Sequence, residues 1–168
     1  MSRTAKFTAV AAVSAAAVAL TAAPAAAWPG GDVTASLATG TSLVVSIANV
    51  PVASCGTADL AGEIDSGGTL SIEDVVIDDC DNNVDAAAEN TPWGGNLTDP
   101  NGPASLTGFQ VRAKWGLLTC VYGGNISGSN TGPVATFTNK TVTKVGGSFL
   151  CPGSAEVTAQ FVFSGPGV

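Results

Sequence analysis

Apolar and polar residues alternate along this chain in short stretches separated by turn chemistry. From Ser42 to Val50, Leu43, Val45 and Ile47 fall on one face and Val44, Ser46 and Ala48 on the other. That period of two marks a β-strand. Leu106 to Trp115 repeats it more strongly, with Phe109, Val111, Ala113 and Trp115 against Gln110, Arg112 and Lys114. Ala155 to Phe163 does the same, with Val157, Ala159, Phe161 and Phe163 inward. Weaker strands are predicted at Val33 to Leu37, Leu60 to Ile64, Thr69 to Ile77 and Cys120 to Ile126. The run Val75-Val76-Ile77 predicts cover on both faces. Val134 to Thr138 and Thr141 to Val145 read as hairpin partners around Asn139-Lys140, and Ser66-Gly67-Gly68 as a hairpin turn.

Two segments depart from alternation. Val84 to Glu89, with three consecutive alanines, predicts a single helical turn. Thr91 to Pro103 is rich in Pro, Gly, Asn and Asp and predicts a surface loop or a short edge strand around Gly95 to Thr98. The total is eight to ten short strands, the pattern of an all-β antiparallel sandwich or barrel.

The first 27 residues stand apart. Arg3 and Lys6 precede an apolar stretch from Phe7 to Ala23, Pro24 breaks it, and Ala25-Ala26-Ala27 offers small residues before Trp28. This is the pattern of a cleaved secretory signal peptide at 1–27. It leaves a single secreted domain at 28–168, with no membrane insertion expected after cleavage.

Export changes the meaning of the cysteines. Cys55, Cys80, Cys120 and Cys151 are an even set, which in an exported chain predicts two disulfides. Sequence alone permits three pairings. The stretches 42–80 and 108–151 echo each other weakly: strand, cysteine, glycine turn, strand, cysteine. If they are a duplication, Cys55 pairs with Cys80 and Cys120 with Cys151.

Charge narrows the partners. Without Arg3 and Lys6 the chain has 4 basic and 13 acidic residues, a net charge of 4 − 13 = −9. Twelve acids precede Asn101 and all four bases follow it. Nucleic acid is not expected, because its affinity comes from Lys and Arg on phosphates. Anionic lipid is disfavoured for the same reason.

The chain contains no histidine. Ser-His-Asp and Cys-His catalysis are therefore excluded, as is any His-ligated metal. Carboxylates could hydrolyse glycosides without histidine, with Glu63, Asp65, Glu73, Asp74, Asp78 and Asp79 as candidates by type. Asp79, Asp81, Asn83 and Asp85 alternate like the start of a calcium loop. Val84 stands where such a loop needs Gly, and Asn90 where it needs Glu, so an acidic surface loop is the expectation. Trp93 is expected to be a core plug pinning its loop. No catalytic, cofactor or metal residue is assigned.

The Ala-rich leader, the four spaced cysteines, TPWGGNL and the CPGSAEVTAQFVF ending resemble small exported β-rich proteins from high-GC Gram-positive bacteria. The resemblance implies secretion and a disulfide-bonded β-fold. The sequence expectation is a secreted, non-enzymatic β-domain. It would bind an unknown protein or glycan partner at or outside the cell surface. A protease inhibitor, using the Leu150-Cys151-Pro152-Gly153-Ser154 segment, is the first alternative, and a carboxylate hydrolase the second.

Overall fold

The computed structural model describes residues 28–98 and 101–168, so the predicted signal peptide lies outside the described residues. Ten strands form one antiparallel sheet: β1 (Gly31–Leu37), β2 (Leu43–Ile47), β3 (Val50–Ile64), β4 (Thr69–Cys80), β5 (Val84–Ala88), β6 (Trp93–Leu97), β7 (Asn101–Trp115), β8 (Leu118–Thr131), β9 (Val134–Gly147) and β10 (Ser154–Ser164). Eight of them close a barrel in the order β1-β3-β4-β6-β7-β8-β9-β10, with β10 pairing back to β1. Closure removes the exposed sheet edges that invite aggregation. Of the two architectures expected, the protein adopts the barrel.

The other two strands complete the wall at one end. Strand β2 sits between β10 and β3, beyond the point where β1 ends. Strand β5 pairs with β7 beyond the end of β6.

The interior follows from alternation. Ala155, Val157, Ala159, Phe161 and Phe163 of β10 are all buried, as are Val33 and Ala35 of β1 and Ala135 and Phe137 of β9. Trp93, 1% exposed, packs its ring 4.9 Å from that of Phe109 and donates its indole N–H to the Glu89 carbonyl at 2.9 Å. It plugs the core, as expected. Trp28 closes one barrel end, donating its indole N–H to the Leu97 carbonyl at 3.0 Å.

Four sequence expectations are corrected. Val84 to Glu89 is not helical, because Ala86 and Ala88 pair with Ala113 and Val111 of β7. Tertiary pairing overrides the helix preference of alanine there. The 91–103 segment contains a strand that is not at an edge, since β6 pairs with both β4 and β7. The predicted 134–145 hairpin is one continuous strand, with Asn139 at φ 48°. Asn139 forms a bulge: its backbone amide donates to the Thr158 hydroxyl, which in turn donates to the Asn139 side-chain oxygen Oδ1. Asparagine tolerates positive φ inside a strand as well as in a turn.

The fourth correction concerns β4. Val76 is 57% exposed, while Val75 and Ile77 pack against the core. Glu73 is the extra residue of a bulge opposite Ala61 and Gly62, which reverses the facing of all that follows. A Cβ on Gly62 would meet the Ser71 carbonyl oxygen, so the bulge requires glycine there.

Candidate functional site

The two barrel ends differ. At one end, Trp28, the β3–β4 turn and the chain's last residues pack together: Leu97 N donates to the Gly68 carbonyl and Gly167 N to that of Asp32. At the other end converge the β2–β3 turn, the β4–β5 turn, the β7–β8 turn and the β9–β10 loop. Register places them together: Ile47 faces Val50, Val84 faces Trp115, and Cys120 faces Gly147.

Both disulfides brace this loop end. Cys55–Cys80 ties β3 to β4 directly across the ladder. Cys120–Cys151 ties the start of β8 to the β9–β10 loop. The pairing is the one that the two echoing stretches favour.

The β9–β10 loop is held from several sides. Ser148 N donates to the Thr119 carbonyl at 2.8 Å, and Cys151 N to that of Ser148 at 3.1 Å. Lys144 Nζ donates to the carbonyls of Ser148 and Cys151 at 3.3 and 3.4 Å. Tyr122 reaches up from β8 to give its hydroxyl hydrogen to the Pro152 carbonyl at 3.2 Å. Burial pushes the Tyr122 phenol above its ordinary value of 10.

These rigid loops carry apolar side chains into solvent. Leu117 is fully exposed at the β7–β8 turn, Phe149 is 88% exposed and Leu150 68%. Val50 stands exposed at the β2–β3 turn of the same end. Single exposed apolar residues are common, but several large ones on neighbouring braced turns make this end the candidate site. The sequence reading assigned Leu117, Phe149 and Val50 no role, and Leu150 only one within the inhibitor alternative. The signal was present: Leu117-Leu118 follows Gly116, and Phe149-Leu150 lies between Gly147-Ser148 and Cys151, so apolar side chains sit within turn chemistry.

Behind the loop end lies a small cavity between β2, β5 and β7, lined by Leu43, Val45, Ile47, Val84, Ala86 and Ala113 among others. Its volume is about 30 Å³. Ligand pockets for metabolites run to roughly 300–1,000 Å³. The interior at this end is thus a core with a packing gap.

The candidate carboxylates lie elsewhere and are spread out. Glu63, Glu73 and Asp74 line an open groove of about 230 Å³ on the outer face of β1, β3 and β4, with Asp32. Asp32 lies directly opposite Glu63 in the β1–β3 ladder. An adjoining groove of about 310 Å³ carries Asp59, Asp74 and Val76. A carboxylate glycosidase sets two carboxyl groups facing each other across the sugar. These project from one outward surface instead.

Asp65 has a structural task. Its carboxylate accepts the amides of Gly67 and Thr69, both at 2.8 Å, and fixes the β3–β4 turn. Asp78 accepts the Asp79 amide at 2.8 Å. In the acidic loop, Asp81 accepts the Ser54 amide at 2.7 Å, which locks the β4–β5 turn to β3. Asn82 and Asn83 take positive φ there, as the turn requires. No group of three or more candidate metal ligands occurs among the described residues.

Comparison with protein-family models, with curated proteins and with solved structures finds no match to this chain.

Proposed function

We propose that this protein is a secreted, non-enzymatic binding domain that meets its partner at the cell surface through the loop end of the barrel. The observation that carries the reading is the gathering of Leu117, Phe149 and Leu150 on two turns tied together by Cys120–Cys151. Moving each such side chain out of water is worth about 1.5–3 kcal/mol. A net hydrogen bond contributes about 1 kcal/mol, so association gains most at this end. Rigid loops add to the gain, because little conformational freedom is lost on contact. The disulfides suit an oxidising environment outside the cytoplasm, and secretion extends that reading.

The inhibitor alternative gains one observation, since Phe149 and Leu150 offer large side chains beside a disulfide. Its geometry is unfavourable. The Cys151 N to Ser148 carbonyl bond folds Ser148 to Cys151 into a tight turn. An inhibitory loop enters a protease as an extended strand, with its backbone free to pair.

The test is retention of purified protein on a cell-envelope fraction, comparing wild type with the Leu117→Asp/Phe149→Asp variant and with Glu73→Lys/Asp74→Lys on the outer acidic face. Retention lost only in the first variant is the expected result. Equal retention of wild type and the Leu117→Asp/Phe149→Asp variant would remove the loop end from the account. Inhibition of a serine protease by the wild type would favour the alternative.

A further inference from the structure

The apolar tips of the loop end are set among acids. Val84 lies directly opposite Trp115, so the β4–β5 turn and the β7–β8 turn that carries Leu117 leave the wall side by side. Asp81 accepts the Ser54 amide and Asn82 donates to the Val52 carbonyl at 3.3 Å, which bends the β4–β5 turn towards the exposed Val50. Asp78 and Asp79 precede that turn, and both are exposed, as is Asp81. Glu156 follows the loop of Phe149 and Leu150, near the start of β10. Among the described residues, none of these four acids lies within ion-pair distance of a Lys or Arg. The bases at this end are engaged already. Lys144 gives its ammonium to the Ser148 and Cys151 carbonyls, and Lys114 lies directly opposite Asp85.

We propose that the loop end docks a segment of another polypeptide in which Lys or Arg side chains alternate with apolar ones. This rests on the reading of the loop end as the binding end and names the chemistry of its partner. Charge complementarity makes the choice. Lys114 and Asp85 offset each other, which leaves Asp78, Asp79, Asp81 and Glu156 against Lys144, a local charge of 1 − 4 = −3. A cation arriving there meets carboxylates that no internal base has neutralised. Phe149, 88% exposed, offers a ring face that also attracts Lys or Arg. Charge alone does not fill the site, because Leu117, Phe149 and Leu150 gain free energy only where apolar surface covers them. The two demands together describe a basic and apolar polypeptide. An anionic lipid or glycan brings the wrong sign. A second copy docked by the same end would set these acids against their own kind.

The experiment is fluorescence anisotropy of labelled synthetic peptides with the purified protein. One peptide alternates lysine with leucine, a second lysine with serine, and a third glutamate with leucine. The lysine–leucine peptide should bind, the lysine–serine peptide about tenfold more weakly, and the glutamate–leucine peptide not at all. Leu117→Ser/Phe149→Ser should weaken the first about tenfold or more at an unchanged unfolding midpoint. Asp79→Asn/Asp81→Asn keeps an oxygen for the Ser54 amide, and should weaken it about fivefold and flatten its salt dependence. Glu73→Gln/Asp74→Gln removes the same charge from the outer acidic face and should leave affinity within about twofold. An equal loss in that variant would mean general attraction to an acidic chain and overturns the proposal. So does failure of the lysine–leucine peptide to bind, or equal binding of the glutamate–leucine peptide. Envelope retention separates this from the reading beneath it. Retention abolished by protease treatment of the envelope fraction agrees with a polypeptide partner. Retention that survives the treatment and still depends on Leu117 and Phe149 overturns the polypeptide and keeps the loop end. If neither peptide binding nor retention depends on those residues, both readings fall.

Discussion

Asp65 shows how one exposed side chain can shape the pH response of a turn. The Thr69 amide, with help from that of Gly67, holds its carboxyl below the ordinary value of 3.8. The sign follows from linkage: a depressed folded value stabilises the fold above pH 3.8, and that contribution is lost as pH falls through the folded value. Asp65→Ala should therefore lie below wild type in stability near neutral pH, with the gap narrowing under acid, as urea unfolding at several pH values would show. Phe161 and Leu117 make a sharper pair. Phe161 is 6% exposed inside the barrel, and Phe161→Ala should cost about 3–5 kcal/mol through its cavity. Leu117→Ala, at a fully exposed site, should move stability by no more than about 0.5 kcal/mol while weakening retention on the envelope fraction. A large residue conserving nothing of the fold when removed is what a contact residue should look like in urea titration.

Strands were legible wherever one face is buried and the other wet. The rows of β7 and β10 were read directly, because period two survives along most of their length. Bulges defeated the reading elsewhere. At Glu73 one extra residue reverses the parity of β4, so Val75-Val76-Ile77 looked doubly covered. At Asn139 a bulge inside β9 carried the residue chemistry of a turn. The alanines of β5 looked helical because its pairing with β7 is a long-range fact. The loop end was missed for a different reason: its apolar residues follow no period, and it takes the pairing of β8 with β9 and the Cys120–Cys151 bridge to bring the two turns together. Disulfides give this scale its predictions. Their closed loops span 25 and 31 positions, which by chain entropy alone differ by about 0.2 kcal/mol. Replacing Cys120 and Cys151 by Ala should cost about 2–5 kcal/mol and also free the β9–β10 loop, reducing retention. Replacing Cys55 and Cys80 should cost a similar amount and leave retention less affected. The acidic turn gives a further contrast. Asp81→Ala should cost about 1 kcal/mol by releasing the Ser54 amide, and calorimetric titration of wild type with calcium should show at most roughly millimolar affinity.

Over the whole molecule the barrel has a packed end and a loop end, and its charge is divided around the wall. Asp32, Asp59, Glu63, Glu73 and Asp74 lie on β1, β3 and β4, with Arg112 and Lys114 on β7 and Lys140 and Lys144 on β9. Part of the basic charge is already offset, since Arg112 lies 3.6 Å from Glu89 and Lys114 faces Asp85. In the proposed reading the outer acidic face keeps the chain in solution, while the loop end makes contact. Amide hydrogen exchange with and without the cell-envelope fraction tests this division most directly. Added protection should fall on residues 116–118 and 148–151, and leave the outer faces of β1, β3 and β4 unchanged. Protection that appears on β1, β3 and β4 while the loop end exchanges as before would contradict the account.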